Sequence, residues 1–139
     1  MCRVEFPHEF LERHAEQDPA ADSAPRFEVP GVEFTGYAAP SRGSDGLCAW
    51  RIRVSPGMVS GQAHTLDQDE VFLITWGSIK LSPDGPRLAA GDCAIVPAGT
   101  PIQLSNPGQQ PAAAHVLIRT GFNATMADGA AIGTPPWAR

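Results

Sequence analysis

Glycine and proline are the residues that most restrict how this sequence can fold. Fourteen of each, in 139 residues, separate short apolar segments from one another. Short apolar segments bounded by turn-forming residues are typical of β-strands, and the sequence between them has no helical periodicity. Candidate strands span residues 26–29, 32–37, 48–54, 71–76, 79–82, 87–89, 93–96, 102–105 and 113–120. Without helices between strands, the pattern predicts an all-β antiparallel sandwich or barrel instead of a parallel sheet.

The first residues of the chain differ from the rest. Phe6, Phe10 and His14 recur at helical spacing, which predicts one short amphipathic helix. The residues that follow are small, polar and proline-containing, as in a surface linker. We therefore expect residues 1–25 to form an N-terminal helix and linker, and residues 26–139 to form a β-barrel domain.

Charge and cysteine content limit the classes of binding partner and the cellular compartment that we expect for this chain. Fifteen acidic residues against ten Lys and Arg give a net charge of -5. With no basic patch, we expect no nucleic acid and no membrane as partner. The longest apolar stretches, such as residues 71–74, are far shorter than the roughly 20 residues that cross a bilayer. The first residues do not read as a signal peptide, and three widely spaced cysteines indicate no disulfide framework, so we expect a cytoplasmic protein.

Two segments of the sequence carry a recognisable spacing of residues. The first, residues 56–77, reads PGMVSGQAHTLDQDEVFLITWG, and the second, residues 91–106, reads GDCAIVPAGTPIQLSN. In both, the chain resembles the cupin superfamily, whose two motifs are matched at Gly57, His64, Glu70, Gly77, Gly91, Pro97, Gly99 and Asn106. The resemblance implies an antiparallel double-stranded β-helix, the jelly-roll or cupin barrel. The glycines suit positions where strands reverse and φ is positive.

Departures from the motif bear on metal binding. In the family, two histidines and a glutamate of the first motif and a histidine of the second converge on one divalent metal ion. Here His64 and Glu70 hold two of those positions, whereas Leu66 and Ile102 stand at the other two. Stable metal sites use three or four N, S or O ligands, so we predict no cofactor. The alternative is a divalent Fe, Mn, Ni or Zn ion held by His64 and Glu70, with Asp67 or Asp69 as a further carboxylate.

Strand alternation predicts what surrounds these two residues. It places Glu70 on the same face as Phe72, Ile74 and Trp76, and we expect that face to line the barrel interior. With the apolar residues of neighbouring segments, the interior has the composition of a small-molecule pocket. The predicted ligand-binding residues are Trp50, Leu66, Phe72, Ile74, Ile102 and Leu104. The alternative is that these side chains simply fill the core.

The predicted chemistry follows from an ionisable pair in an apolar barrel, which is unfavourable unless the pair is partnered. If His64 and Glu70 touch, the pair suits proton transfer, and both are the predicted catalytic residues. The function predicted is then isomerisation, epimerisation, dehydration or cyclisation of a small hydrophobic metabolite without a metal. One alternative is a non-catalytic ligand-binding or sensing cupin. Another is a metal-dependent cupin dioxygenase or isomerase with an incomplete ligand set.

The remaining polar residues receive simpler interpretations. Arg51 and Arg53 alternate with apolar residues, and we expect them to be solvated; facing inward, they would instead bind Glu70 or a substrate carboxylate. We interpret His115 as a packed or surface imidazole and Cys93 as a buried, inert thiol. Trp137 is expected to pack on the barrel wall or on a partner subunit, and the resemblance to small cupins implies a homodimer.

Overall fold

The computed structural model describes residues 23–139, which form an antiparallel β jelly roll. The predicted helix within residues 1–25, with Phe6, Phe10 and His14, lies outside the described residues. The strands are β1 (Arg26–Val29), β2 (Val32–Ala38), β3 (Leu47–Val54), β4 (His64–Leu66), β5 (Glu70–Trp76), β6 (Ser78–Ile79), β7 (Leu88–Ala89), β8 (Cys93–Val96), β9 (Ala112–Arg119), β10 (Ala124–Met126) and β11 (Ala131–Gly133). Short 3-10 helices cover Pro40–Arg42 and Pro136–Ala138. No helix in the described part of the chain is long and apolar enough to cross a membrane.

One large sheet dominates the barrel. Its six strands run in the order β1-β2-β3-β9-β5-β8, and every pairing is antiparallel. A three-stranded sheet, in the order β11-β10-β4, and the β6-β7 hairpin complete the fold. The all-β prediction is thus confirmed. The hairpin connection contains Asp84-Gly85, and Ser78 lies opposite Ala89.

The two faces of the large sheet differ in polarity because side chains alternate along each strand. Trp50, Val116 and Phe72 lie side by side in neighbouring strands and are all buried, so they define the inner face. Arg51 lies on the opposite, outer face, next to His115. The prediction that Arg51 and Arg53 do not face the core is therefore confirmed, with Arg53 exposed and Arg51 half-buried.

Several predicted elements need correction. Residues 102–105 form no strand and make only isolated bridges, at Ile102 and Ser105, because their backbone hydrogen bonds alternate between two neighbouring segments. Strands β4, β10 and β11, each three residues long, have no signal of their own in the sequence. The predicted inward position of Trp76 is wrong. The register of β5 against β9 shifts between Ile74 and Trp76, which breaks the alternation and leaves Trp76 48% exposed.

The glycines of the two motifs do lie at positive φ, as expected. Gly77 is the position where a side chain is most clearly excluded. Its φ is 65°, and a Cβ atom there would lie 2.5 Å from the carbonyl oxygen of Pro111. Asn106 stabilises the fold through its side chain, which is 1% exposed and bonds three backbone groups in two segments. Its amide group donates to the carbonyls of Val54 and Gln110 and accepts from the N–H of Gly108.

Candidate functional site

Glu70 is the first residue of β5 and points into the barrel. Its cross-strand neighbours on the inner face are Val96 and Ile118, and its side chain is only 4% exposed. Among residues 23–139, the buried oxygen Oε2 has no hydrogen-bond partner. Burial disfavours the charged form and raises the pKa of Glu70 from 4.5 to about 8. At neutral pH this side chain is therefore mainly an uncharged carboxylic acid, able to donate a hydrogen bond.

His64 reaches the interior from the smaller sheet. Its backbone exchanges two hydrogen bonds with Ile102, of 3.0 and 2.8 Å, which makes the two residues direct cross-strand neighbours. Ile102 and Leu66, which share this face with His64, are both buried. Burial lowers the pKa of the half-buried His64 below its ordinary value of 6.5. The imidazole is therefore neutral at pH 7 and can accept a proton.

The predicted proton transfer depended on a contact between His64 and Glu70, and the two side chains do not form that contact. Within residues 23–139, no hydrogen bond or salt bridge joins His64 to Glu70. Burial raises the pKa of Glu70 and lowers the pKa of His64, so it favours the uncharged form of each group. The acid is held protonated and the imidazole is held unprotonated, which is the pairing of states that acid–base catalysis uses.

The predicted ligand-binding residues come together in one hydrophobic cluster. Five of them are buried, and the sixth, Leu104, is partly buried against the others. These buried residues are Trp50, Leu66, Phe72, Ile74 and Ile102. They share the interior with Glu70 and His64, so the site is apolar around two polar groups, as predicted. That these residues bind a ligand stays a prediction.

Other candidate residues lie away from the interior. His115 is exposed and packs edge-on against Tyr37, with ring centroids 5.8 Å apart, which confirms its interpretation as a surface imidazole. The interpretation of Cys93 as a buried thiol is wrong, because the residue pairs with Leu73 at the edge of the outer face and is exposed. Two surface grooves of about 370 Å³ each contact neither Glu70 nor His64.

The residues at the site do not fit a divalent metal ion. Among the described residues, no three His, Cys, Asp or Glu side chains are grouped so that they could hold one. The two carboxylates that could have supplemented His64 and Glu70 are occupied elsewhere. Asp67 accepts hydrogen bonds from the backbone and side chain of Asn123, and Asp69 accepts one from the N–H of Ala98. Leu66 and Ile102 offer no donor atom.

An aromatic cluster beside the site was missed in the sequence. The indole of Trp137 stacks on Phe34, with ring centroids 3.7 Å apart and planes at 13°. Trp50 packs against Trp137 and also stacks on Phe122, at a centroid distance of 6.0 Å. The β1-β2 pairing places Phe27 opposite Phe34, which alternation in those two predicted strands could have indicated. Trp137 thus packs on the barrel wall of its own chain.

The sequence and the structure of the chain are similar to those of known proteins. A model of the Cupin domain family matches residues 50–118. A sugar phosphate isomerase of the cupin superfamily from Silicibacter pomeroyi is 26% identical, over 77% of this chain and 79% of that one, with a TM-score of 0.60. The polyketide cyclase RemF from Streptomyces resistomycificus is 15% identical, over 73% and 77%, with a TM-score of 0.64. An RmlC-like cupin from Ralstonia eutropha is 12% identical, over 85% and 77%, with a TM-score of 0.66. No curated protein matches the chain.

Proposed function

The chain belongs to the cupin superfamily, and from that premise we propose that it is an enzyme that moves a proton within a small, apolar, uncharged organic molecule. The reaction class is isomerisation or cyclisation next to a carbonyl group. Glu70 is the general acid and His64 is the general base. The observation that carries the proposal is the carboxyl group of Glu70, which is 4% exposed and has an unpartnered oxygen inside an apolar barrel.

A buried, protonated carboxyl group can stabilise a developing negative charge. When a carbonyl compound loses a proton from the neighbouring carbon, charge builds on the carbonyl oxygen. A hydrogen bond from the Glu70 acid to that oxygen would strengthen as the charge grows, and the dry surroundings increase its effect. The raised pKa of Glu70 supports this role, because the group keeps its proton at neutral pH.

The neutral imidazole of His64 completes the proton transfer. It would accept the proton from the carbon atom while Glu70 delivers its own proton to the oxygen, which leaves an enol, an imidazolium and a carboxylate. In the second half of the reaction, the imidazolium returns its proton to a different carbon and the enol oxygen returns its proton to Glu70. Both groups are then restored, and no redox partner is consumed. Since the donor set does not fit a metal ion, every step uses protein groups alone.

The charge of the interior argues for an uncharged substrate. Among the described Asp, Glu, Lys and Arg residues, Glu70 is the one that is buried, so the interior holds no Lys or Arg from this part of the chain. A phosphate or carboxylate substrate would need such a cation beside it. The 26% identical neighbour is a sugar phosphate isomerase, which supports isomerisation as the reaction class. The apolar interior points away from a phosphorylated sugar as the substrate of this chain.

Hydrogen–deuterium exchange tests the proposal without a known substrate. The protein is incubated in D₂O with a panel of uncharged aliphatic and aromatic ketones, and NMR follows exchange of the C–H next to each carbonyl. We expect the protein to accelerate exchange for part of the panel. Glu70→Gln and His64→Ala should each reduce that rate by about 10²–10⁴-fold. Glu33→Gln and His115→Ala, both on the outer face, are the matched controls and should leave it unchanged.

The second candidate function is ligand binding without catalysis, because His64 and Glu70 form no direct contact in the described residues. A cupin that only binds its ligand needs two polar anchors but no coupled proton transfer. In that case, both variants would weaken ligand binding, and neither the protein nor its variants would accelerate exchange in any ketone. That result would overturn the enzymatic proposal in favour of a binding or sensing protein.

A further inference from the structure

The segment that follows β11 packs onto the inner face of the large sheet. We call residues 134–139 the tail. Its Trp137 lies among Phe27, Phe34 and Trp50, which we call the aromatic cage. Ring centroids of the cage lie 6.3, 3.7 and 6.5 Å, respectively, from that of Trp137, and Phe34 is nearly parallel to it. The cage therefore encloses a flat space that fits one aromatic ring, and the indole of Trp137 fills it.

Within residues 23–139, few hydrogen bonds hold the tail in place. Ser41 donates its backbone N–H and its hydroxyl to the carbonyl of Arg139. Thr134 donates to the carbonyl of Phe122, at the start of the tail. The tail forms no strand ladder with the described sheets. Its attachment thus rests mainly on packing, in which the ring of Trp137 and the buried side chain of Ala138 take part.

The indole of Trp137 is also an imperfect occupant of the cage. Its Nε1–H is buried and finds no hydrogen-bond partner in the described part of the chain. A buried indole normally finds an acceptor, because an unpartnered donor loses its hydration without compensation. A planar apolar ring without that donor would make the same stacking contact with Phe34 and avoid this penalty. The ring of Trp137 therefore occupies the cage with its one polar atom left unpaired.

The tail packs against strands β1, β2 and β3, on the same inner face of the sheet as the proposed acid. The thiol of Cys48 donates to the carbonyl of Ala138, at 3.4 Å. Cys48 and Glu70 both lie opposite Ile118, on either side of it, in one row of the inner face. Two strand spacings, about 10 Å in all, therefore separate their backbones. Because Glu70 is buried, a substrate can reach it only after something that covers this face has moved aside.

We infer that the tail is a displaceable plug, and that the aromatic cage binds a planar aromatic ring of the substrate when Trp137 leaves it. This inference rests on the proposed function for the identity of the ligand as substrate, but the binding event is independent of turnover. Exchange of one ring for another keeps the apolar contacts of the cage, so an aromatic ligand can open the plug. A non-planar apolar ligand cannot stack on Phe34 and should not open it.

The experiment uses 2-naphthol as the probe and decahydro-2-naphthol as its non-planar counterpart. Indole ¹⁵N–¹H NMR of the wild-type protein resolves signals from its three tryptophans, Trp50, Trp76 and Trp137. We expect 2-naphthol to move the Trp137 signal to its solvent-exposed position and decahydro-2-naphthol to leave it unchanged. In calorimetry, Trp137→Ala should bind 2-naphthol at least tenfold more tightly than wild type, because the competing ring is gone. Trp76→Ala, the exposed control, should bind it as wild type does.

Two results would overturn the inference. In the first, 2-naphthol binds Trp137→Ala but leaves the Trp137 signal of wild type unmoved, which means that the substitution merely created a cavity. In the second, both probes bind equally, so planarity has no role. The wild-type spectrum decides the question even if Trp137→Ala fails to fold. Failure of the proposed function is distinct, since Glu70→Gln should still bind 2-naphthol even if no ketone exchanges its protons.

Discussion

Glu70→Gln tests the central feature of the site, a carboxyl group buried without a partner. The pKa of Glu70 is about 8 in the folded protein, against 4.5 when solvated. A pKa raised by folding stabilises the protein below the solvated value, and this contribution is lost as pH rises through the folded value. We therefore expect the free energy of unfolding of wild type to fall between about pH 4.5 and pH 8. Gln is neutral at every pH, so the variant should lack this dependence.

The size of the effect follows from the two pKa values. Each pKa unit corresponds to about 1.36 kcal/mol, so the full difference is about 5 kcal/mol, of which about 3.5 kcal/mol falls between pH 5 and pH 8. A typical domain is stable by only about 5–15 kcal/mol, so the loss should be large. With a denaturant slope of about 1.5–2 kcal/mol per molar, the urea midpoint of wild type should drop by about 2 M over that range.

The assay is urea unfolding at pH 5, 6, 7 and 8 of wild type, Glu70→Gln and Glu33→Gln. Glu33 lies on the outer face and serves as the control, which should follow wild type. Parallel pH profiles for wild type and Glu70→Gln would refute the reasoning, because the carboxyl would then be hydrated or partnered. His64 acts in the opposite sense. Its pKa is lowered, so its contribution is present above pH 6.5 and is lost as pH falls.

Three further predictions concern the frame and the ligand set. Asn106→Ala should lower the free energy of unfolding by about 3 kcal/mol, measured in urea, because it leaves buried backbone groups unpaired. Gly77→Ala should lower the melting temperature more than Gly99→Ala, since a Cβ at Gly77 meets backbone atoms and one at Gly99 meets nothing within 4 Å. Wild type titrated with Zn²⁺ should bind weakly, whereas Leu66→His combined with Ile102→His should bind stoichiometrically in calorimetry; tight binding by wild type would contradict the donor-set argument.

Local patterns in the sequence were enough for much of the fold. Turn residues bound the strands, and alternation in β3 predicted which of its side chains are buried. Cys48, Trp50 and Ile52 are buried there, on the face opposite Arg51 and Arg53. Such patterns succeed because each strand has one apolar face, whatever its neighbours are. The same patterns fail where a strand has three residues, as in β4, or where a bulge intervenes, as before Trp76.

The sequence by itself determined that this chain is an antiparallel β-barrel, that it carries the cupin spacing, and that two of the expected ligand positions are apolar. The tertiary structure alone decided how the remaining groups behave. Residues distant in sequence decide whether Glu70 is hydrated and whether Asp67 and Asp69 are free to bind a metal ion, as Asn123 does for Asp67. They also decide which ring fills the aromatic cage, where Trp137 stacks on Phe34. Burial and hydrogen bonding are properties of the assembled interior, and a protonation state follows from them.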